Sequence, residues 1–316
     1  MKLRELVFLL LRYTGIPFLL RELVQRHFVS IVCLHDPTPE AADRHFTVLK
    51  RLYTIIPLLQ YLEWRDNPDL PMPPKPMVVT LDDGHCGNYV LEPVLKKHNI
   101  RVTMFLCSGI VETRRHFWWT KARDRAEREA LKRMLDADRV TRLGECGYAE
   151  TREYDVRQAL SKAELEKLKP LVDFQSHTRF HPILPNCTTE RAAEEISGSR
   201  RELEERFGVT AYALAYPNGD YSARDIDLVE SAGYRCALTL DGSYNTRRTH
   251  PLRLRRIALE DAADESELIV KASGLWEMMR PLLPNRHGLK KGRADDDVAI
   301  SHVSAKGGNQ SCEKNQ

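Results

Sequence analysis

The sequence predicts a β/α barrel, because short apolar strands alternate with amphipathic helices along most of the chain. A strand, a helix and a second strand follow one another within residues 77–110, which is the βαβ unit of a parallel sheet. The alternation recurs about six or seven times, and polar residues directly follow several of the strands. In a barrel those residues all reach one face, so the pattern favours a barrel over an open sheet.

The strands are predicted where β-branched and apolar residues fill short segments bounded by turn residues. They cover residues 28–36, 77–81, 101–110, 171–177, 210–217, 235–240 and 251–259. Between them, apolar residues recur at helical spacing. The predicted helices cover residues 45–62 (with a break near Pro57), 88–100, 117–135, 188–208 and 222–234.

Residues 1–27 are predicted to be an amphipathic helical segment ahead of the barrel. They contain five Lys or Arg and two Glu among leucines. Neither of their apolar runs approaches the ~20 residues of a membrane span. No small-residue cleavage site follows, so a cleavable signal peptide fits poorly. Two interpretations stay open: peripheral contact with an anionic membrane surface, and packing of the helices on the domain.

The remaining chain is predicted to be one domain at 28–284, with a helical insertion at about 113–170, followed by a polar, disordered tail at 285–316. The composition, 42% hydrophobic and 29% charged in 316 residues, is typical of a globular protein. A net charge of +3 and the lack of a nucleic-acid-binding motif argue against a nucleic-acid partner. Seven cysteines without a C-x-x-C pair indicate free thiols. Because free thiols are typical of a reducing compartment, we expect the protein on the cytoplasmic side, including the inner face of the membrane.

Candidate site residues, among them three histidines and several carboxylates, follow the apolar part of four predicted strands. Because a barrel collects the ends of its strands on one face, we expect them to form one site. The apolar parts of these four segments are residues 28–34, 77–81, 171–175 and 210–216. They are followed, in this order, by His35 and Asp36, by Asp82 and Asp83, by Ser176, His177 and His181, and by Pro217, Asn218 and Gly219.

These residue types are suited to metal-assisted hydrolysis of an acyl bond. One carboxylate and two imidazoles make a three-ligand set for Zn²⁺ or a similar divalent metal and leave a position for water. The spacing His177-x-x-x-His181 predicts that both rings lie on one side of a helical turn. The aspartate that is not a ligand can act as the general base, and His35 can protonate a leaving group.

Four motifs at these positions resemble those of polysaccharide deacetylases with a NodB-type homology domain (carbohydrate esterase family 4). TLDDG at 80–84 is similar to their TFDDG motif, and SHTRFHP at 176–182 to their His-Ser/Thr-x-x-His-Pro motif. AYPNGDY at 215–221 resembles their third motif, and LHD at 34–36 resembles their last. LHD comes first here, as in the circularly permuted bacterial branch that acts on cell-surface polysaccharides. The resemblance covers roughly residues 28–260.

The resemblance implies a distorted (β/α)₇ barrel and removal of acetyl groups from N-acetylated sugars of a polysaccharide or lipid-linked glycan. It implies a bound divalent metal, with Zn²⁺ favoured over Co²⁺ or Ni²⁺. The implied roles are Asp82 as general base, His35 as general acid, Asp83, His177 and His181 as metal ligands, Asn218 and Pro217 at the oxyanion and substrate site, and Leu34 in the acetyl-methyl pocket.

Two departures from the family pattern leave alternatives open. Ala215 stands where many members have an arginine that orients the base, so either Arg255 or Arg256 replaces it, Arg256 being favoured, or the base is held less firmly. The tryptophan-bearing fourth motif is not recognisable in CALTLDGSY at 236–244. A catalytically idle glycan-binding protein and an O-acetyl esterase are therefore the alternatives to an N-deacetylase.

Three further side chains lie close to these motifs in the sequence. His85 is expected to be a loop histidine without a catalytic role. Trp118 and Trp119 could stack on sugar rings or face a membrane interface, but we expect at least one of them to be a packing residue.

Overall fold

Eight parallel strands form one curled sheet at the centre of the computed structural model, which describes residues 3–280. The predicted tail at 285–316 lies outside these described residues. The strands are β1 (Ser30–Leu34), β2 (Thr54–Ile55), β3 (Pro76–Leu81), β4 (Val102–Leu106), β5 (Val172–Ser176), β6 (Ala213–Ala215), β7 (Cys236–Leu238) and β8 (Ile257–Ala258).

The sheet curls into a barrel, as the sequence predicts. Its strand order is β7-β6-β5-β4-β3-β1-β8, and β2 pairs with the start of β3. A bridge between Leu238 and Leu254, just before β8, joins the two ends of this order. The predicted distorted β/α barrel is therefore confirmed.

Twelve α-helices are present among the described residues, most of them packed around the sheet. They are α1 (Leu3–Tyr13), α2 (Ile16–Leu19), α3 (Pro39–Leu52), α4 (Leu58–Asp66), α5 (Glu92–His98), α6 (Arg125–Leu131), α7 (Asp136–Gly144), α8 (Lys162–Leu168), α9 (Thr189–Phe207), α10 (Ala223–Ser231), α11 (Glu265–Ala272) and α12 (Leu275–Met279). No helix among the described residues is long and apolar enough to cross a membrane.

Both faces of the central strands are buried, which is why these strands are continuous apolar runs rather than alternating ones. Every residue of β1 and β3 is buried. Val32 and Val79 belong to the core between sheet and helices, whereas Ile31 and Val78 belong to a second cluster. Residues of α4 join this second cluster, so α4 covers the end of the barrel where its strands begin.

The predicted helix at 45–62 is wrong in detail, because local capping sets other boundaries. Thr38 accepts a hydrogen bond from the backbone N–H of Ala41, so α3 already begins at Pro39. It ends at Leu52, and β2 separates it from α4.

The predicted insertion at about 113–170 is helical only in parts. Asp124 caps α6 by accepting from the N–H of Glu127, so the continuous helix predicted over 117–135 does not form. Between α7 and α8 the backbone is mostly irregular. The last predicted strand, at 251–259, shortens to β8 because residues 251–253 form a 3₁₀ turn.

Candidate active site

The predicted site residues meet at the carboxyl ends of the parallel strands. The backbone N–H of Asp82 continues the ladder by donating to Leu34 O at 3.0 Å. In the same way the N–H of His177 donates to Leu106 O at 2.8 Å. The strand ladders thus extend into the site, so rigid elements position its first side chains.

The two adjacent aspartates point to different partners because the chain turns sharply between them. Asp83 and Gly84 both have left-handed backbone conformations, with φ of 74° and 72°. A Cβ atom on Gly84 would lie 2.5 Å from a side-chain carbon of Leu106, so only glycine fits there. The turn directs Asp82 towards Arg256, and Asp83 towards three histidines.

Asp83, His177 and His181 form a donor set that fits a divalent metal. The distances from Asp83 Oδ1 to the Nε2 atoms of His177 and His181 are 3.5 and 3.6 Å. These are longer than hydrogen bonds. They approach the separation of about 3.4 Å that ligand atoms have around a tetrahedral ion with bonds of about 2.1 Å. Asp83 Oδ1 is buried and has no hydrogen-bond partner among the described residues, so an ion would satisfy it.

The two imidazoles are arranged to offer lone pairs at this position. Nδ1 of His177 lies 2.8 Å from Ala215 O and must donate to it, which leaves Nε2 of the neutral ring as an acceptor. Burial and the neighbouring His177 lower the pKa of His181 to about 3, so the ring of His181 is neutral at physiological pH. Burial alone would raise the pKa of Asp83, but the hydrogen bond from His85 and the nearby imidazoles hold it well below its usual value.

The segment that carries the two histidines is an irregular loop, so the predicted helical turn is wrong. Thr178 and His181 have positive φ angles of 63° and 57°. The hydroxyl of Thr178 accepts a hydrogen bond from the N–H of His181 at 3.1 Å. The rings of His177 and His181 meet edge to face, with 4.7 Å between their centroids, in this irregular loop and not through helical periodicity.

Glu195 on α9 fixes this loop, and sequence reasoning missed it. One of its carboxylate oxygens accepts hydrogen bonds from the N–H groups of Arg179 and Phe180 at 2.9 and 2.8 Å. The carboxylate is buried, and Arg191 lies 3.1 Å from its other oxygen. Burial raises the pKa of Glu195 to about 7. In the sequence it is one of many acids on a charged helix, so nothing marked it.

Asp82 is bound by Arg256 through two hydrogen bonds. The guanidinium of Arg256 donates to Oδ1 and Oδ2 at 2.7 and 2.9 Å, and both side chains are buried. Arg256 reaches Asp82 from the segment leading into β8. Burial would raise the pKa of Asp82, but the charge and hydrogen bonds of Arg256 hold it below its usual value. The neighbouring Arg255 is exposed and does not reach the site.

His35 lies beside Asp82 at the end of β1. Ligand-type atoms of His35, Asp82 and Cys33 lie within 4.8 Å of one another. The carboxylate of Asp261 accepts hydrogen bonds from the N–H groups of His35 and Asp36 at 2.9 and 3.0 Å, and so fixes the loop. Asp261 was also missed, because its position just after β8 becomes informative only when β8 is seen to pair with β1.

The segment after β6 brings Pro217 and Asn218 to the same face. Asn218 has a φ of 58°, a left-handed conformation that asparagine tolerates better than most residues do. Pro217 is buried and Asn218 is partly exposed. Leu34 is fully buried and pairs in register with Leu81, the residue before Asp82.

Aromatic side chains form one wall of the site. The ring of Trp119 packs edge-on against His181 at 4.6 Å between centroids, and stacks on Phe117. Trp118 is buried and donates from its indole N–H to His181 O at 2.9 Å. Trp118 is therefore a packing residue, as expected for at least one of the pair, and Trp119 is partly exposed beside the ligands.

His85 is part of the site, contrary to the expectation of a plain loop histidine. Its Nε2 lies 3.1 Å from Asp83 Oδ2, the oxygen that does not face His177 and His181. Burial lowers the pKa of a histidine, but the hydrogen bond to Asp83 and the charges of Asp83 and Asp36 raise that of His85 overall. It occupies the outer position that orients a ligating carboxylate.

One known protein family matches the sequence of this chain. The sequence profile of the family described as polysaccharide deacetylase matches residues 69–237, more than half of the chain. No curated protein sequence matches.

Several solved structures share the fold at low sequence identity. The deacetylase PplD from Streptococcus pyogenes, solved with acetate, is similar with a TM-score of 0.57 and 18% identity over 78% of this chain and 98% of its own. IcaB from Ammonifex degensii is similar with a TM-score of 0.57 and 17% identity over 78% of this chain and 97% of its own. BC0361, a polysaccharide deacetylase from Bacillus cereus, is similar with a TM-score of 0.55 and 20% identity over 78% of this chain and 69% of its own.

Proposed function

Since this chain belongs to the polysaccharide deacetylase family, we propose that it hydrolyses the acetamide of N-acetylated sugar residues in a polysaccharide or lipid-linked glycan. The observation that supports this most is the pairing of a three-donor metal site with an adjacent carboxylate that is not a donor. Asp83, His177 and His181 form the donor set, and Asp82 lies next to it.

The donor set is suited to a divalent metal, most simply Zn²⁺. Two nitrogens and one oxygen are its usual ligands in hydrolytic enzymes. When bound, such an ion would polarise the acetyl carbonyl and make water a better nucleophile. His85 would keep Asp83 oriented towards the ion through the oxygen that the ion does not use.

Asp82 is the proposed general base. Its carboxylate stays ionised at neutral pH, because the charge of Arg256 offsets the effect of burial. It takes a proton from the attacking water, whose oxygen forms a bond to the acetyl carbon. Arg256 keeps the carboxylate in place through two hydrogen bonds, which is the orienting role proposed for it.

His35 and Asn218 are proposed to complete the reaction. The backbone N–H of Asn218 would stabilise the negative charge on the carbonyl oxygen. His35 would donate a proton to the sugar nitrogen as the carbon–nitrogen bond breaks, leaving acetate and a free amine. Asp261 fixes the backbone of His35 for this step, and Leu34 and Pro217 would border the acetyl group.

Acetate release tests this proposal directly. Purified chain loaded with Zn²⁺ or Co²⁺ should release acetate from oligomers of N-acetylglucosamine, with one free amine for each acetate. Acetate released from O-acetylated sugars without any amine formed would assign an esterase instead. Full metal occupancy with no acetate from either substrate class would favour the idle glycan-binding alternative.

A further inference from the structure

The N-terminal helix α1 carries its apolar residues on the outside. Leu3, Leu6, Val7, Leu10 and Tyr13 recur at helical spacing and are all exposed. A globular protein normally turns such a face towards its core. Here that face points away from it.

The inward side of α1 is held by ion pairs and a single buried ring. Arg4 bonds to Glu267, and Arg12 bonds to Glu265 at 3.1 Å, both on α11. Phe8 is buried and packs against Trp276 at 4.9 Å between centroids. The interpretation that this helix packs on the domain therefore holds for one face and leaves the other face unexplained.

The exposed face continues beyond α1 into the next helical turns. Gly15, in a left-handed conformation, redirects the chain, and further apolar side chains follow on the outside. We call the exposed set the apolar stripe: Leu3, Leu6, Val7, Leu10, Tyr13, Ile16, Phe18, Leu19 and Leu23. These nine are more than half of the sixteen large apolar side chains exposed among the described residues, so apolar exposure is concentrated in this N-terminal segment and not scattered over the surface.

Basic side chains gather where the stripe ends. Arg26 is exposed, and Phe28, five residues after Leu23, lines a cavity of about 300 Å³. Arg248 and Arg255 line the same cavity and are exposed, and neither guanidinium has a side-chain partner within residues 3–280. Hydroxyl-bearing side chains complete its lining, namely Ser243, Tyr244, Thr246 and Thr249. Guanidinium and hydroxyl donors of this kind suit a phosphate group.

We propose that the apolar stripe lies on an anionic lipid bilayer, with the arginines around this cavity bound to phosphate headgroups. A helix of eleven residues spans roughly 16 Å, too short to cross a bilayer but suited to lie in its surface. Tyr13 and Phe18 have the amphipathic or aromatic character found at lipid–water boundaries, and Arg12 and Arg21 lie over their rings.

Charge favours a bilayer over a second copy of this chain. Arg12 and Arg21 are already paired within the chain, with Glu265 and Glu22, but Arg26, Arg248 and Arg255 are exposed near the end of the stripe. Pairing the stripe with itself would bring these three arginines of two copies together, and like charges oppose such pairing. Anionic headgroups instead supply the opposite charge.

The start of the stripe is near the catalytic residues. Arg4 on α1 lies 3.7 Å from Glu260. The next residue, Asp261, fixes the backbone of His35. Docking through the stripe would therefore place the candidate active site close to the lipid surface, where a lipid-linked or membrane-attached glycan would be within reach.

Vesicle co-sedimentation with the full chain tests this surface. We expect binding to vesicles of phosphatidylglycerol and phosphatidylcholine that is at least about tenfold tighter than to phosphatidylcholine alone. Leu10→Glu should weaken vesicle binding by about tenfold or more, because a charge replaces an apolar side chain that the bilayer would bury. Leu135→Glu is the matched control, since Leu10 and Leu135 are 62% and 63% exposed and only Leu10 lies in the stripe. Arg248→Glu with Arg255→Glu should remove the preference for the anionic lipid.

Acetate release from a soluble oligomer should be unchanged in Leu10→Glu, so this test is independent of the proposed enzymatic activity. The proposal is overturned if the wild-type chain does not sediment with anionic vesicles, or if Leu10→Glu sediments as the wild type does. It is also overturned if the wild type does not bind vesicles and Leu10→Glu converts a dimer into a monomer, because a second copy would then cover the stripe.

Discussion

Arg256 donates two hydrogen bonds, at 2.7 and 2.9 Å, to the two carboxylate oxygens of Asp82 in the buried centre of the site. Removing one partner of such a pair leaves the other charge buried and unpaired. The pair connects the segment before β8 to the end of β3, two elements separated by 174 positions in the sequence. It is the contact on which the proposed base depends.

Arg256→Gln should lower kcat/KM by about a hundredfold or more, because it removes the charge that keeps Asp82 ionised. Without that charge the pKa of Asp82 rises, so the acid limb of the pH–rate profile should move to higher pH. Metal content should stay at the wild-type level. Arg255→Gln, one residue away and exposed, is the control and should behave as wild type on a soluble substrate. An unchanged acid limb in Arg256→Gln would contradict the orienting role.

His85→Ala should weaken metal binding by about 10- to 100-fold, because Asp83 loses the hydrogen bond to its outer oxygen. The measurement is the Zn²⁺ dissociation constant from competition with a chelator. His116→Ala is the control, because His116 contacts Val156 O and none of the ligands. Equal zinc affinity of the two variants would mean that His85 does not orient the carboxylate.

The two neighbouring tryptophans should separate into a substrate residue and a packing residue. Trp119→Ala should raise KM with a smaller change in kcat, because a partly exposed ring beside the ligands can stack on a sugar. Trp118→Ala should instead lower the free energy of unfolding by about 3–5 kcal/mol. Steady-state kinetics and denaturant melts distinguish these effects, and the reverse pattern would contradict the assignment.

Glu195→Gln should change how stability depends on pH. Burial raises the folded-state pKa of Glu195 to about 7, so the folded state favours the protonated carboxyl. The protonated carboxyl therefore contributes to the free energy of unfolding at low pH, and this contribution is lost as pH rises from about 4.5 through 7. Glutamine cannot ionise and should lack this loss. The free energy of unfolding of Glu195→Gln relative to wild type should therefore increase between pH 5 and 8. A pH-independent difference would indicate that Glu195 is not buried against the loop of His177 and His181 as described.

Much of the site could be predicted from sequence because its side chains follow strands directly. Asp82, Asp83 and His177 come one or two residues after predicted strands, so the barrel alone determines that they meet. The prediction of Arg256 depended on the family pattern, in which Ala215 replaces the arginine that many members have at this position. Nothing in the local sequence distinguishes Arg255 from Arg256.

The remaining features depend on tertiary contacts that local patterns do not encode. Asp261 and Glu195 act by accepting backbone N–H groups of loops distant in sequence. The relation of His177 to His181 was wrongly predicted as helical, because the positive φ angles of the loop leave no trace in residue spacing. The helical segment at 1–27 was predicted, but only the packing of α1 on α11 reveals which face is outward.

The separation of roles between the two adjacent aspartates is the central claim, and paired measurement of metal content and acetate release in Asp82→Asn and Asp83→Asn tests it most directly. Asp82→Asn should keep about one metal ion for each chain, as in the wild type, and lose acetate release. Asp83→Asn should lose both, because it removes a ligand. Retained turnover in Asp82→Asn, or full metal content in Asp83→Asn, would contradict the account.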